Sequence, residues 1–496
     1  MQEIINMIKK NWLFFAILII LYFLTRFPYL LFHDVVYTYD QGRDFLKTAE
    51  VFLYKNPTFI GPTTGIMGLY HGAWWYYILG IPFLLTKGNP ITFYYFIFLI
   101  TFFTNLLFFY LSKKIFNEKI ALFLFFLITF SPYFIGKSIF VGNTTLVLPF
   151  LVSFIFANFL ILEKNRKDDK FIFILGLSLG FIFEFEFGFG FLLTPLYFLL
   201  ILLIKDLRKI FLKFKNFFSL IFGILIPIIP RLLFEFKNGF IQTKTLINYL
   251  IKPHYFNPKP FYQVFNDRLL TFIDYAKSIF NHPLIAFIFY FFVFKNFCSV
   301  FRKENIIHKK AYSFFILLFF GLFVFANFYG DNFWRYYYEG IEYLILFIIA
   351  LSFYQKKENP LVNKIINLTI MASFFVFITN FSIKPNVERS TGLITHERVV
   401  NFILENEKNL NNYCVVVYTP PVIPYTYDYL FLYQEINGRG KKPVNNWVNN
   451  QCWYIIEKDD IKIRRENWIK NNLPKNAKIV TQKKFFGVEV MKLERI

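Results

Sequence analysis

Charge is scarce in this chain of 496 residues: Asp, Glu, Lys and Arg together make up 17%, against about 25% in soluble domains. That scarcity argues against a solvent-covered globular protein. Cysteine is rarer still, with three residues, and no Cys/His spacing has the pattern of a zinc site. No Walker motif, dinucleotide-binding fingerprint or other glycine-rich phosphate loop occurs. Nucleotide hydrolysis or handling of a nucleotide-sugar donor by this chain alone is therefore not expected. No clear internal repeat is visible. No small-residue cleavage site follows the first apolar segment, which is also too long for a signal sequence, so it is read as a retained span.

What is abundant is apolar. Hydrophobic residues reach 56%, with 74 Phe, and runs of about 18–20 apolar residues recur at the length that crosses a hydrocarbon core. The fold expected is mostly α, a polytopic membrane protein. The formal net charge of +22 does not mark a nucleic-acid binder, because the basic residues fall in short loops between apolar runs, the positive-inside pattern. Lys9-Lys10, Lys113-Lys114 to Lys119, Lys164 to Lys170, Lys205 to Lys215, Arg302-Lys303 to Lys309-Lys310 and Gln355-Lys-Lys357 are assigned to the cytoplasm. This places about 11 spans near 12–32, 91–111, 120–136, 144–162, 171–185, 187–204, 216–234, 283–300, 311–328, 337–354 and 364–382. The N-terminus is then cytoplasmic, and the loops 33–90 and 235–282 lie outside. Counting 70–86 as a further crossing would invert every later loop, so it is read as re-entrant or interfacial.

The two expected domains are a transmembrane region, 1–383, and a small α/β domain outside, 384–496. In the latter, helices at 395–408, 425–436 and 462–471 alternate with strands at 413–418, 452–457, 478–483 and 487–493. Cys414 and Cys452 start two of these strands and could form a disulfide.

Against this background the stretch Tyr37-Thr-Tyr-Asp-Gln-Gly-Arg-Asp44 is conspicuous. It places Asp40, Arg43 and Asp44 at a membrane edge, and the residues after it have the spacing of an amphipathic helix with Asp40 at its N-cap or first turn. Helix capping accounts for Asp40 but not for Arg43 and Asp44. Charge parity gathers further polar residues on the same outer side: His71, Lys137, Asn143, Arg231, Glu235, Pro253-His254-Tyr255 and Arg335. Glu184 and Glu186 lie there too, in a turn after a short, glycine-bearing helix. A solvated loop charge explains any one of these. Together they suit a phosphate-bearing substrate and a nucleophile in need of a base.

The order of motifs resembles that of the GT-C glycosyltransferases of the protein mannosyltransferase and aminoarabinose transferase superfamily, and within it bacterial membrane glycosyltransferases. The resemblance covers about residues 8–382. It rests on Asp40-Gln-Gly-Arg43 in the first outer loop and on Gly61-Pro62 with Tyr70-His71-Gly72 and Tyr76-Tyr77. It continues in Ser131-Pro132 through Asn143 and in Pro230-Arg-Leu-Leu-Phe-Glu235-Phe-Lys-Asn-Gly-Phe240.

The resemblance implies an enzyme of the plasma membrane that transfers a sugar, with inversion, from a polyprenyl-phosphate donor, specifically an undecaprenyl one. The acceptor hydroxyl would belong to a lipid, glycan or protein on the outer face. Asp40 is the expected base, with Asp44, Glu184 and Glu186 as alternates. Arg43, Arg335, His71 and Lys137 are the expected phosphate partners. Asn143 and Glu235 belong to motifs of the site, and the aromatic residues of 70–77, Tyr76 among them, would line the sugar or the prenyl chain. Two departures remove carboxylates that a hard cation favours: Gln41 replaces the second acid of the usual pair, and Asn143 replaces an acid of some relatives. No cofactor is therefore expected, and a divalent metal is left open. The rival classes are a lipid-linked-sugar flippase, which should show a path through the bilayer, and a non-catalytic sugar-lipid binder.

Overall fold

The computed structural model describes residues 12–164, 169–252, 255, 257–280, 283–301, 307–354, 360–380 and 391–496. The expected boundary at 384, the basic residues Lys9-Lys10, Arg302-Lys303 and Gln355-Lys-Lys357, and the pair Pro253-His254 lie outside the described residues.

The architecture is mostly helical. Among the described residues, five helices are long and apolar enough to cross a membrane, and three sharply bent pairs would raise that number to eight. The bends have local causes. Glu118–Phe130 and Pro132–Ser138 meet at 68°, at the proline that cannot donate to the carbonyl of Ile128. Arg26, fully buried, supplies the missing partners: its guanidinium donates to the carbonyls of Ile128 and Thr129, both at 2.9 Å. Caps set other starts. Asn117 Oδ1 accepts from the Ile120 amide at 2.8 Å, and Asn89 Oδ1 accepts from Ile91, with Pro90 at the first helical position.

Two of the expected helices pack through glycine. A Cβ on Gly176 would come within 2.3 Å of the Leu220 carbonyl oxygen and 3.0 Å of the Gly223 Cα. The helices Asp169–Phe185 and Phe214–Lys237 therefore touch backbone to backbone, which small residues permit in membrane bundles. The segment read as re-entrant or interfacial divides into strand β2 (Tyr70–Gly72) and the helix Trp74–Thr86. β2 pairs antiparallel with β1 (Ile60–Thr63). At 13 residues the helix is about 20 Å long, shorter than the roughly 30 Å of a hydrocarbon core.

The C-terminal part has a four-stranded sheet of order β3-β4-β6-β5, formed by Val415–Tyr418, Gln451–Glu457, Ala477–Phe485 and Val488–Arg495 in chain order. β3 and β4 are parallel and the other pairings antiparallel. Helices Leu393–Asn406, Tyr425–Ile436 and Lys462–Asn472 fall where the sequence placed them, and a disulfide joins Cys414 to Cys452.

This sheet unit is fastened to the membrane part. The Tyr37 amide donates to the Thr391 carbonyl at 2.8 Å, Leu393 donates to Val35 at 3.0 Å, and the Tyr37 hydroxyl donates to the Thr426 carbonyl at 2.9 Å. Gly42 sits so close that a Cβ would meet the Tyr425 carbonyl carbon at 2.5 Å. The helix Tyr39–Phe52 is thus clasped from behind by the C-terminal part, leaving its first turn free to face a cavity.

Candidate active site

Thr38 caps the helix Tyr39–Phe52, so Asp40 falls in its first turn, one of the two places expected. The Thr38 amide donates to Gln41 Oε1 at 2.8 Å, and Gln41 Nε2 donates to the Val141 carbonyl at 2.8 Å. Gln41, read from sequence as a missing acid, is therefore a two-way clasp. A carboxylate could not make the second bond. Asp40 occupies the first turn, where a negative charge suits the helix dipole.

One turn of this helix holds an ion triad. Arg43 contacts Asp40 at 2.9 Å and Asp44 at 2.8 Å. Asp44 is buried and fully engaged, since its other oxygen accepts from the Trp75 indole at 2.7 Å. Burial pushes the Asp44 carboxyl above its ordinary value, against the pull of Arg43. The Asp40 side chain is 48% exposed, so its carboxylate remains accessible.

The triad opens onto a cavity of about 560 Å³, lined by Asp40, Arg43, Asp44, His71, Lys137, Asn143 and Glu186 among the residues expected from sequence. His71, on β2, accepts from the Phe187 amide through Nδ1 at 3.3 Å. Burial, with Arg231 and Arg43 nearby, pushes it down to about 3. It is a neutral imidazole whose proton sits on Nε2. Lys137 is paired with Glu339. Glu339 also accepts from the Tyr133 and Thr144 hydroxyls, which leaves it fully engaged. Asn143 donates to the Phe185 carbonyl at 2.6 Å and ties the cavity rim to the turn that carries Glu186.

Four expected residues are not brought to the cavity. Glu184 points away from it and pairs with Arg231 at 2.7 Å, fully buried. Arg231 in turn donates to the Tyr70 carbonyl at 2.8 Å, so this pair locks β2 to the helix Phe214–Lys237. Glu235 accepts from the amides of Gln242 and Thr243 at 3.0 and 2.9 Å, capping the helix Ile241–Ile251. Arg335 is held by Asp274 at 2.5 Å and Glu342 at 2.6 Å. Tyr76 is buried behind Arg43 and Asp44. The other aromatic residues of 74–77 also serve the framework: the Trp74 indole donates to the Pro227 carbonyl, and the Tyr77 hydroxyl to that of Thr58.

The aromatic lining comes from elsewhere. Tyr329, Phe333, Tyr336 and Tyr337 form one wall, continued by Tyr249 and Tyr255. Their rings pack in sequence, Phe333 to Tyr337 at 5.2 Å, Tyr337 to Tyr329 at 6.1 Å and Tyr329 to Tyr255 at 6.3 Å. The run Phe333-Trp-Arg-Tyr-Tyr-Tyr338 carried that signal, but the sequence reading took only its arginine. Among the described residues no three His, Cys, Asp or Glu side chains converge to hold a metal ion.

Residues 71–234 match the family model for dolichyl-phosphate-mannose-protein mannosyltransferase. The whole chain superposes on the crystal structure of ArnT from Cupriavidus metallidurans bound to undecaprenyl phosphate, with a TM-score of 0.62 over 98% of both chains at 10% identity. The fold is that of ArnT. The apo form of the same ArnT gives a TM-score of 0.62 over 97% of both chains at 9% identity. The oligosaccharyltransferase of Archaeoglobus fulgidus aligns with 87% of this chain and 62% of its own, at 12% identity and a TM-score of 0.46. No curated protein sequence matches the chain. The described helices that are long and apolar enough to cross a membrane, on a fold like that of ArnT, support a multi-pass membrane protein.

Proposed function

We propose that the chain is a membrane glycosyltransferase that moves a sugar from a polyprenyl-phosphate donor to an acceptor hydroxyl at the outer face of the membrane. The observation that carries this reading is the cavity itself, where an accessible carboxylate, Asp40, stands beside two cations, Arg43 and Lys137. A transfer of this kind needs a base for the attacking hydroxyl and positive charge for the departing phosphate. The undecaprenyl phosphate bound to ArnT supports a polyprenyl-phosphate donor here.

Asp40 takes the acceptor's hydroxyl proton as the acceptor oxygen forms a bond to the anomeric carbon. The bond from that carbon to the phosphate oxygen breaks, and its electron pair leaves with the lipid phosphate. Arg43 and Lys137 balance the charge that develops there, and the Nε2 proton of neutral His71 can donate to a phosphate oxygen without adding charge. A single displacement inverts the anomeric centre. Asp44 holds Arg43 in place and, with both oxygens engaged, is not the base.

Purified protein incubated with labelled undecaprenyl-phosphate sugars, with free undecaprenyl phosphate as the readout, tests the proposal. Release that depends on an added acceptor supports it. Passage of intact donor across a vesicle bilayer without release would favour a flippase instead.

A further inference from the structure

Glu186 has no role in that chemistry. It is 2% exposed, and Oε2 has no hydrogen-bond partner although the residue lines the cavity. The other oxygen, Oε1, accepts from the Gly188 amide at 3.3 Å, which caps the helix Phe187–Leu203. A buried carboxyl oxygen without a partner is costly, and Lys137, the neighbouring cation, is already paired with Glu339.

The surroundings of Glu186 are those of a ring-binding site. Gly188 stands between acid and ring: a Cβ placed on it would lie 3.3 Å from Glu186 Oε1 and 3.8 Å from Tyr337 Cγ, so Glu186 and the Tyr337 ring flank the same residue. Tyr336 stands on the same wall, within electrostatic reach of both Glu186 and Asp40. A polar edge beside aromatic faces matches a pyranose, which presents hydroxyls at its rim and C–H groups on its faces.

We infer that Glu186, with Tyr336 and Tyr337, forms the subsite that reads a hydroxyl of the donor's sugar ring. The inference rests on the donor reading above and deepens it. Each alternative occupant fits less well. The prenyl chain has nothing to offer a carboxyl group. The phosphate is anionic and belongs with Arg43 and Lys137. The acceptor hydroxyl belongs with Asp40. Burial first, and then the nearness of Glu339, pushes Glu186 up to about 8. At neutral pH it therefore carries a proton and can donate to a sugar hydroxyl or accept from one. Glu186 is in this view a specificity residue and not the base.

The test is binding, measured on the full-length protein in detergent. The probes are undecaprenyl phosphate and the same lipid phosphate carrying mannose, glucose or galactose. Wild type should bind at least one glycosylated lipid more tightly than the bare lipid. Glu186→Ala should lose about tenfold of that preference, the equivalent of one hydrogen bond, while binding bare undecaprenyl phosphate as wild type does. Glu186→Gln keeps a neutral hydrogen-bonding group and the helix cap, so it should lose less than the alanine variant. Unchanged bare-lipid binding shows that the variants are folded. The inference is overturned if Glu186→Ala keeps the sugar preference, if bare and glycosylated lipids weaken equally, or if wild type prefers none of the sugars. Failure of wild type to bind bare undecaprenyl phosphate would instead overturn the donor reading itself.

Discussion

Two turns of this chain carry acids in pairs, Asp40 with Asp44 and Glu184 with Glu186. The helix Tyr39–Phe52 presents the first pair and the break before Phe187–Leu203 presents the second. In each, one acid is buried against an arginine, Asp44 on Arg43 and Glu184 on Arg231. The other acid has no buried arginine of its own: Asp40 is half exposed at the cavity, and Glu186 lines the cavity with one oxygen unpartnered, whereas Glu184, which also has one oxygen unpartnered, does not line it. Residue type is the same within each pair. What separates the roles is where cations and N–H groups lie. The buried, arginine-paired acid fixes the framework; Asp40, which touches Arg43 but stays half exposed, and Glu186, which has no arginine, are left for a substrate.

Exchanging members of the pairs should break this contrast. The largest effect is expected at the accessible acid of the first turn, where Asp40→Asn should slow turnover by about 10²–10⁴-fold, the range for a lost general base, with unchanged yield of folded protein. Its engaged neighbour differs in kind: Asp44→Asn should lower the melting temperature as well as turnover, because Arg43 loses a buried partner. In the second turn, Glu184→Ala leaves Arg231 buried and unpaired and should cost about 3–5 kcal/mol of stability, read by thermal unfolding in detergent. Replacing both partners by Gln and Met should recover much of that.

Smaller effects probe the supports. Gly42→Val forces apart the helix start and the Tyr425 backbone and should cost about 1–3 kcal/mol, with turnover falling because Asp40 moves. Glu235→Ala removes a helix cap and should cost about 1 kcal/mol with little change in turnover. A pH series sharpens the comparison further. Glu186 is protonated below about 8 and ionised above it. Affinity for a glycosylated, negatively charged lipid should therefore fall as pH rises through that value, and Glu186→Gln should flatten the fall. The groups facing Glu186, Lys137 and Glu339, are retained in that variant and serve as its internal control.

Much of the architecture was legible because apolar run length and strand alternation are strong signals. The C-terminal helices and strands fall within a few residues of their expected positions; the glycines of 171–185, noted only as a feature of a short helix, lie at a backbone contact with Phe214–Lys237. The site was legible by side, not by contact. The expectation of one shared side grouped Asp40, Arg43, His71, Lys137, Asn143 and Glu186, which line one cavity, but it could not tell that Arg335 is held by two acids or that Glu235 caps a helix seven residues on. Those partners, Asp274, Glu342 and the Gln242 and Thr243 amides, are set by packing. The clasp made by Gln41 was hidden for the same reason, since its partner, the Val141 carbonyl, is 100 residues away. Arg26 was overlooked although a charge inside an apolar run is itself a signal. Its purpose becomes visible only when the helix break at Pro132 is seen to leave the Ile128 and Thr129 carbonyls to Arg26.

The most direct test of the division within the pairs is single-turnover release of undecaprenyl phosphate from labelled donor bound to Asp40→Asn, beside wild type. The expected result is donor affinity close to that of wild type with release slowed by about 10²–10⁴-fold. Release at the wild-type rate would remove Asp40 from the reaction and contradict the account.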